Sequence, residues 1–128
     1  MIRFEALALA ICDYHGGFTP GTKAFGYCNP GLLKTYRPEK KKDGENYRIF
    51  TTVWGGFKAL MAELEARCTG QNDRVAPENT LQDLLVLYDF THDQATRRVV
   101  LFLRRALKDE SVTAETSVAW FQESPERK

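Results

Sequence analysis

The sequence has no organised cysteine pattern. Its three cysteines, Cys12, Cys28 and Cys68, are odd in number and show neither a CxxC pair nor zinc-ligand spacing, which argues against a disulfide framework and a structural metal site. Buried free thiols in a reducing compartment are expected, with no metal and no cofactor. Long apolar runs are also missing. No stretch approaches the roughly 18 apolar residues of a membrane span, so no membrane partner is expected. Nor does one charge dominate, since 18 lysines and arginines face 17 aspartates and glutamates. That balance gives no overall attraction to nucleic acid, and any partner must be recognised locally. Internal repeats and low-complexity tracts are absent.

The 128 residues, 43% of them apolar, suffice for one core and are too few for two, so a single domain over residues 1–128 is expected. The opening run MIRFEALALAICDYH carries Arg3, Glu5 and Asp13 and spaces its large residues helically. It reads as a first helix over about 2–15 and not as a signal peptide, which makes the chain cytoplasmic as synthesised. Reaching a cell envelope would then need lysis or attachment to a virion. Gly16 and Gly17 end that helix. From Phe18 to Asp43 no helical period survives, and Pro20-Gly21, Asn29-Pro30-Gly31 and Pro38 mark successive turns. The charged run RPEKKKDGEN leads into YRIF, a short strand at 47–50 expected to pair with residues near 25–34.

Beyond that point the pattern is helical. Phe57, Leu60, Met61, Leu64 and Cys68 form an apolar stripe with Gly70 as a stop, and residues 69–79 are a polar connection. Thr80 with Asp83 resembles a capping arrangement ahead of Leu81, Leu84, Leu85 and Tyr88. Ala95, Val99, Phe102, Leu103 and Ala106 define a further helix with Asp93 at its N-terminal end. A last helix at 113–121 is expected to bury Ala114, Val118 and Phe121, followed by a fraying tail. The expected fold is mainly α, with a small irregular β-containing lobe after the first helix.

The segments HGGFTPG, CNPGLLK, YRIF and GGFKAL occur in this order at compatible spacing. Together they resemble the signature of small lysozyme-like, or lytic-transglycosylase-like, domains of phages and bacteria, over about residues 6–107. That signature runs Glu-Gly-aromatic, Pro-Gly, Asn-Asn-Pro-Gly-Asn-Leu, a short strand, then Gly-aromatic-x-Ala-Leu. The resemblance implies a lysozyme-like helical domain whose Gly/Pro/Asn loop walls a glycan-binding cleft beside the first helix. It implies ligand contacts at Phe18, Asn29, Gly31 and Trp54, and places His15 where the family keeps the glutamic acid that protonates the leaving oxygen. A histidine there lacks the carboxylate's charge, and burial would lower its pKa. Cys28 and Leu32 stand where the signature has asparagines.

The implied function is a degenerate domain that binds a peptidoglycan-like glycan or a protein partner. The alternatives are an active muramidase or transglycosylase using His15 or Asp13, and a phage-encoded inhibitor. Other readings of the same residues stay open. His15 continues an apolar face four residues after Ile11, as a core histidine bonded to a backbone carbonyl would. Asp13 points off that face, Asp93 reads as a helix cap, and Arg97, Arg98, Arg104 and Arg105 read as a solvated surface rather than a nucleic-acid stripe. Lys40 to Lys42 read as an exposed turn. Trp54 reads as core or as a cleft aromatic, and Trp120 as packing the last helix down.

Overall fold

In the computed structural model the described residues are 2–69, 76, 78–90 and 92–122. Five helices, α1 (Arg3–His15), α2 (Lys23–Gly26), α3 (Val53–Cys68), α4 (Leu81–Val86) and α5 (Asp93–Leu107), are followed by a 3-10 turn at Val118–Gln122. The fold is mainly helical.

Helix α1 is the centre of the core. Ala6, Leu7, Ala8, Ala10, Ile11 and Cys12 are all essentially buried, which is burial around most of the circumference rather than along one stripe. The alanines make this possible, because short side chains let neighbouring helices approach from several sides. Helices α3 and α5 and the 3-10 turn all pack against it. Replacing Leu7 or Ile11 by alanine would therefore cost about 2–5 kcal/mol through lost burial and cavity formation. Cys12 and Cys68 are buried free thiols, pushed up to about 12 by burial. Cys28 is free and half-buried.

The helix starts follow local chemistry. Thr52 caps α3 by accepting from the Gly55 amide at 3.0 Å, so α3 starts four residues before the apolar stripe. The expected capping box of α4 is present, with Asp83 N to Thr80 Oγ1 at 3.2 Å and Thr80 N to Asp83 Oδ2 at 3.0 Å. The reading of Asp93 as a side-chain cap is corrected. It is the first residue of α5, and no side chain caps that helix at His92; Asp93 contributes only its charge at the positive end.

Two further expectations change. Helix α2 falls inside the segment read as turns, because Thr22 caps it through the Phe25 amide at 3.1 Å. The helix expected at 113–121 is reduced to the 3-10 turn. Residues before that turn lend their carbonyls to α4 instead: Leu81 N donates to Thr116 O at 2.8 Å and Gln82 N to Ala114 O at 3.0 Å. Carbonyls facing the first turn of α4 cannot also follow a helical path of their own. Val118 and Phe121 are buried as expected, and Ala114 is half-buried. The Arg3 guanidinium lies 3.8 Å from the Trp120 ring centre and donates to Trp120 O, tying the turn to α1. Gly70, most of the 69–79 connection and the tail beyond Gln122 lie outside the described residues.

The lobe between α1 and α3 has bridges rather than a ladder. Lys34 pairs with Tyr47 and Lys42 with Arg48, both antiparallel. Arg48 N donates to Leu33 O at 2.8 Å and Phe50 N to Tyr27 O at 2.9 Å, so the expected pairing of 47–50 with 25–34 is formed as isolated contacts. The lobe is clamped to the helices through its Asn29-Pro30-Gly31 turn. A β-carbon on Gly17 would overlap the backbone of Pro30, and one on Gly56 would overlap the Cys28 carbonyl. The second glycine of HGGF and the second of WGGF, Gly17 and Gly56, are thus required by close backbone approach to one turn.

Candidate functional site

Asn29 builds the turn that shapes the site. Its side chain is fully buried. Nδ2 donates to Leu33 O at 2.9 Å and to Arg48 O at 2.8 Å, while Oδ1 accepts from the Leu33 amide at 2.8 Å. With those bonds made and no exposure, Asn29 is not a ligand contact but the staple that holds Leu33 to Arg48. Gly31 is corrected in the same way. It is buried, and a β-carbon there would come within 2.7 Å of Leu60 Cδ2, so the glycine lets the turn seat on α3.

The wall that Asn29 fixes faces a groove of about 700 Å³. Lys34, Tyr36 and Arg37 line it from the lobe, Glu63 and Arg67 from α3, and Tyr88 from the end of α4. Glu63 and Arg67 are one helical turn apart and bonded at 2.9 Å. The Tyr88 hydroxyl donates to Glu63 Oε1 at 2.7 Å and accepts from Arg67 Nε at 3.1 Å. Burial, then the Glu63 carboxylate, pushes the Tyr88 phenol well above its usual value. It therefore stays a proton donor at any ordinary pH. One Arg67 nitrogen, Nη1, is buried without a partner among the described residues. Tyr36 stands at the rim, 68% exposed.

Beside the groove lies a second polar cluster. Asp89, with φ of 68°, accepts from Tyr47 Oη at 2.8 Å and from Lys34 Nζ at 3.4 Å. His15 sits next to it. The His15 ring packs edge-on to Tyr14 and Phe90, and its Nε2 lies 2.9 Å from Tyr88 O. A carbonyl only accepts, so Nε2 carries the proton. Burial lowers the His15 pKa, opposed in part by that hydrogen bond and by Asp89. The neutral ring is therefore favoured near pH 7, with its proton already engaged.

The remaining expected contacts fall elsewhere. Phe18 and Trp54, 48% and 64% exposed, flank Phe57 at centroid distances of 6.0 and 5.9 Å. Trp54 is therefore a surface aromatic and not core. Nine residues separate it from Glu63 on α3, which at 3.6 residues per turn puts the two on opposite sides of the helix. The aromatic ladder and the groove are separate surfaces. Asp13 is exposed and paired with Arg98 at 3.3 Å, away from His15's hydrogen bond.

Glu63, Arg67 and Asp89 were not singled out by the sequence. The i, i+4 spacing of Glu63 and Arg67 signals a pair, but nothing local distinguishes it from a solvated one. Asp89 carries no periodic signal at all. Among the described residues no group of three or more His, Cys, Asp or Glu side chains is arranged to hold a metal ion, and no helix is long and apolar enough to cross a membrane. Comparisons with protein-family models, curated proteins and solved structures find no match to this chain.

Proposed function

We propose that the chain is a lysozyme-like domain without a working acid, and that it binds a peptidoglycan-like glycan in the groove between the 33–38 wall and helices α3 and α4. The observation that carries this reading is the groove's lining. Glu63 offers acceptor oxygens, Lys34, Arg37 and Arg67 offer donors, and Tyr36 offers an exposed flat ring. Sugar hydroxyls both donate and accept, and sugar faces stack on aromatic rings, so this mixture suits a polyhydroxylated ligand better than an apolar one.

Binding rather than turnover is supported by the state of the ionisable groups. A glycosidase acid needs an apolar setting that keeps a carboxyl protonated. Glu63 and Asp89 instead each accept from a phenol and a cation, and His15 has engaged its proton with Tyr88 O.

Incubation with purified peptidoglycan tests the reading, with bound protein measured by co-sedimentation and released products by mass spectrometry. Wild type is expected to co-sediment and release nothing. Release of muropeptides by wild type, or failure to co-sediment, would overturn it. His15→Glu measured alongside tells whether the remaining cleft supports hydrolysis once a carboxyl is restored.

A further inference from the structure

Helix α5 turns Ala95, Val99 and Leu103 into the core and a different set outward. Gln94, Arg97, Arg98, Leu101 and Arg105 form its exposed stripe. Leu101 is 50% exposed in the middle of it, with Arg97 and Arg98 one turn before and Arg104 and Arg105 one turn after. The arginines differ in what holds them. Arg98 is paired with Asp13 at 3.3 Å and Arg104 Nε donates to Val112 O at 2.8 Å. Arg97 and Arg105 have no hydrogen-bond or ion-pair partner among the described residues.

Grooves flank Leu101 on both sides. One, of about 470 Å³, has Gln94, Arg98, Phe102 and Arg105 in its lining with Asp13; the other, of about 510 Å³, is bounded by Asp93, Gln82, Thr113 and Glu115. Arg97 and Leu101 line both. Among the described residues lining the first groove the one carboxylate is Asp13, which already engages Arg98. Arg97 shares the second groove with Asp93 and Glu115 but is ion-paired to neither, so the guanidinium groups of Arg97 and Arg105 stay without an ion-pair partner around an apolar centre.

We propose that this face docks an acidic protein segment carrying apolar side chains, which seat on Leu101 and Phe102 while its carboxylates meet Arg97 and Arg105. Charge complementarity selects the occupant. Guanidinium groups bind carboxylates bidentately, and Arg97 and Arg105 are eight residues apart, about 12 Å along the helix axis, a span matched by two acidic residues two turns apart on a partner helix. A nucleic acid would use the cations but not Leu101, and the stripe offers no exposed aromatic ring on which a base would stack. The surface is independent of the glycan groove, whose residues lie on α3, α4 and the lobe.

Fluorescence anisotropy on the full chain tests the proposal with three labelled probes of equal length: a glutamate-rich helical peptide with two leucines one turn apart, polyglutamate, and single-stranded DNA. The leucine-bearing peptide is expected to bind at least about tenfold more tightly than polyglutamate or DNA. The Arg97→Glu/Arg105→Glu double variant and, separately, Leu101→Asp are expected to weaken it by about tenfold or more while leaving the melting temperature and circular dichroism unchanged. Equal binding of polyglutamate or DNA would overturn the proposal in favour of a general polyanion surface. Binding of none of the probes would also overturn it, as would a concentration-dependent dimer in sedimentation that the double variant abolishes, since the occupant would then be a second copy of the chain.

Discussion

The Tyr47 hydroxyl donates a 2.8 Å hydrogen bond to Asp89, joining the irregular lobe to the end of α4 across 42 positions of the chain. Lys34, bridged to Tyr47 in the lobe, reaches the other oxygen of the same carboxylate. The lobe is otherwise fastened near α1 and the start of α3, through its Asn29-Pro30-Gly31 turn. The Tyr47–Asp89 bond thus adds a second attachment of the lobe, beside the groove residues Lys34 and Tyr88. Burial, then Asp89, pushes the Tyr47 phenol up to about 12, so the donor stays protonated at neutral pH.

Replacing Tyr47 by phenylalanine removes that bond and keeps the ring. A hydrogen bond to a charged group contributes about 1.5–3 kcal/mol, and partial exposure of both partners places the expected loss at the lower end. Urea denaturation of Tyr47→Phe should show a lower midpoint with an unchanged slope. Peptidoglycan co-sedimentation should fall as well if the lobe sets the groove. An unchanged midpoint would mean that Lys34 alone holds Asp89.

The acid side of the stability profile should carry the signature of His15. Its folded pKa lies below the unfolded value of 6.5, mainly because burial disfavours the cation. Below 6.5 the unfolded chain therefore binds more protons at this site than the folded one, and stability falls as pH drops from about 6.5 toward the folded pKa. Above that window the group contributes no slope. His15→Gln keeps a donor for Tyr88 O and removes the titration, so its stability should be flatter than wild type as pH falls below about 6.5. Parallel curves for the two proteins would exclude His15 as the source.

The backbone at Leu32 makes a different forecast. Leu32 has φ of 50° and Cys28 has φ of 52°, the left-handed region that costs ordinary side chains about 1 kcal/mol or more. Asparagine tolerates this region through local hydrogen bonding. Leu32 is only half-buried and lies outside the apolar core, so Leu32→Asn loses little packing. It should raise the thermal midpoint, by a stability gain of a few tenths to about 1 kcal/mol. A fall in the midpoint would show that the leucine packs more than its exposure suggests.

How much of this was legible in the sequence depends on whether the cause was local. The Thr80–Asp83 box, the end of α1 at Gly16 and the stripe of α5 each rest on residues within one or two turns, and all three are present. That a core histidine would find a carbonyl was one of the open readings of His15. That the carbonyl belongs to Tyr88, 73 residues on, required the fold. Asn29 misled because the same side chain suits a sugar or a backbone, and only burial decides between them. Trp54 follows the apolar period of α3, but it sits in the first turn, beyond the reach of the core. Residues 113–117 looked helical because nothing in their own pattern announces that α4 will take their carbonyls.

The Glu63–Arg67–Tyr88 network separates a binding role from a structural one. Glu63 is partly exposed in the groove, whereas the Arg67 side chain is 12% exposed and the Tyr88 ring is buried. Glu63→Gln keeps the shape and one acceptor oxygen but removes the charge opposite Arg67, an arrangement expected to cost about 1–3 kcal/mol because the guanidinium stays buried. Tyr88→Phe also removes a bond to Glu63, yet leaves the Glu63–Arg67 pair intact and should cost less. If the groove binds a glycan through Glu63, Glu63→Gln should weaken co-sedimentation at temperatures where it is still fully folded, and Tyr88→Phe should not. Equal loss of binding in both variants, in proportion to their loss of stability, would assign the network to holding α3 against α4.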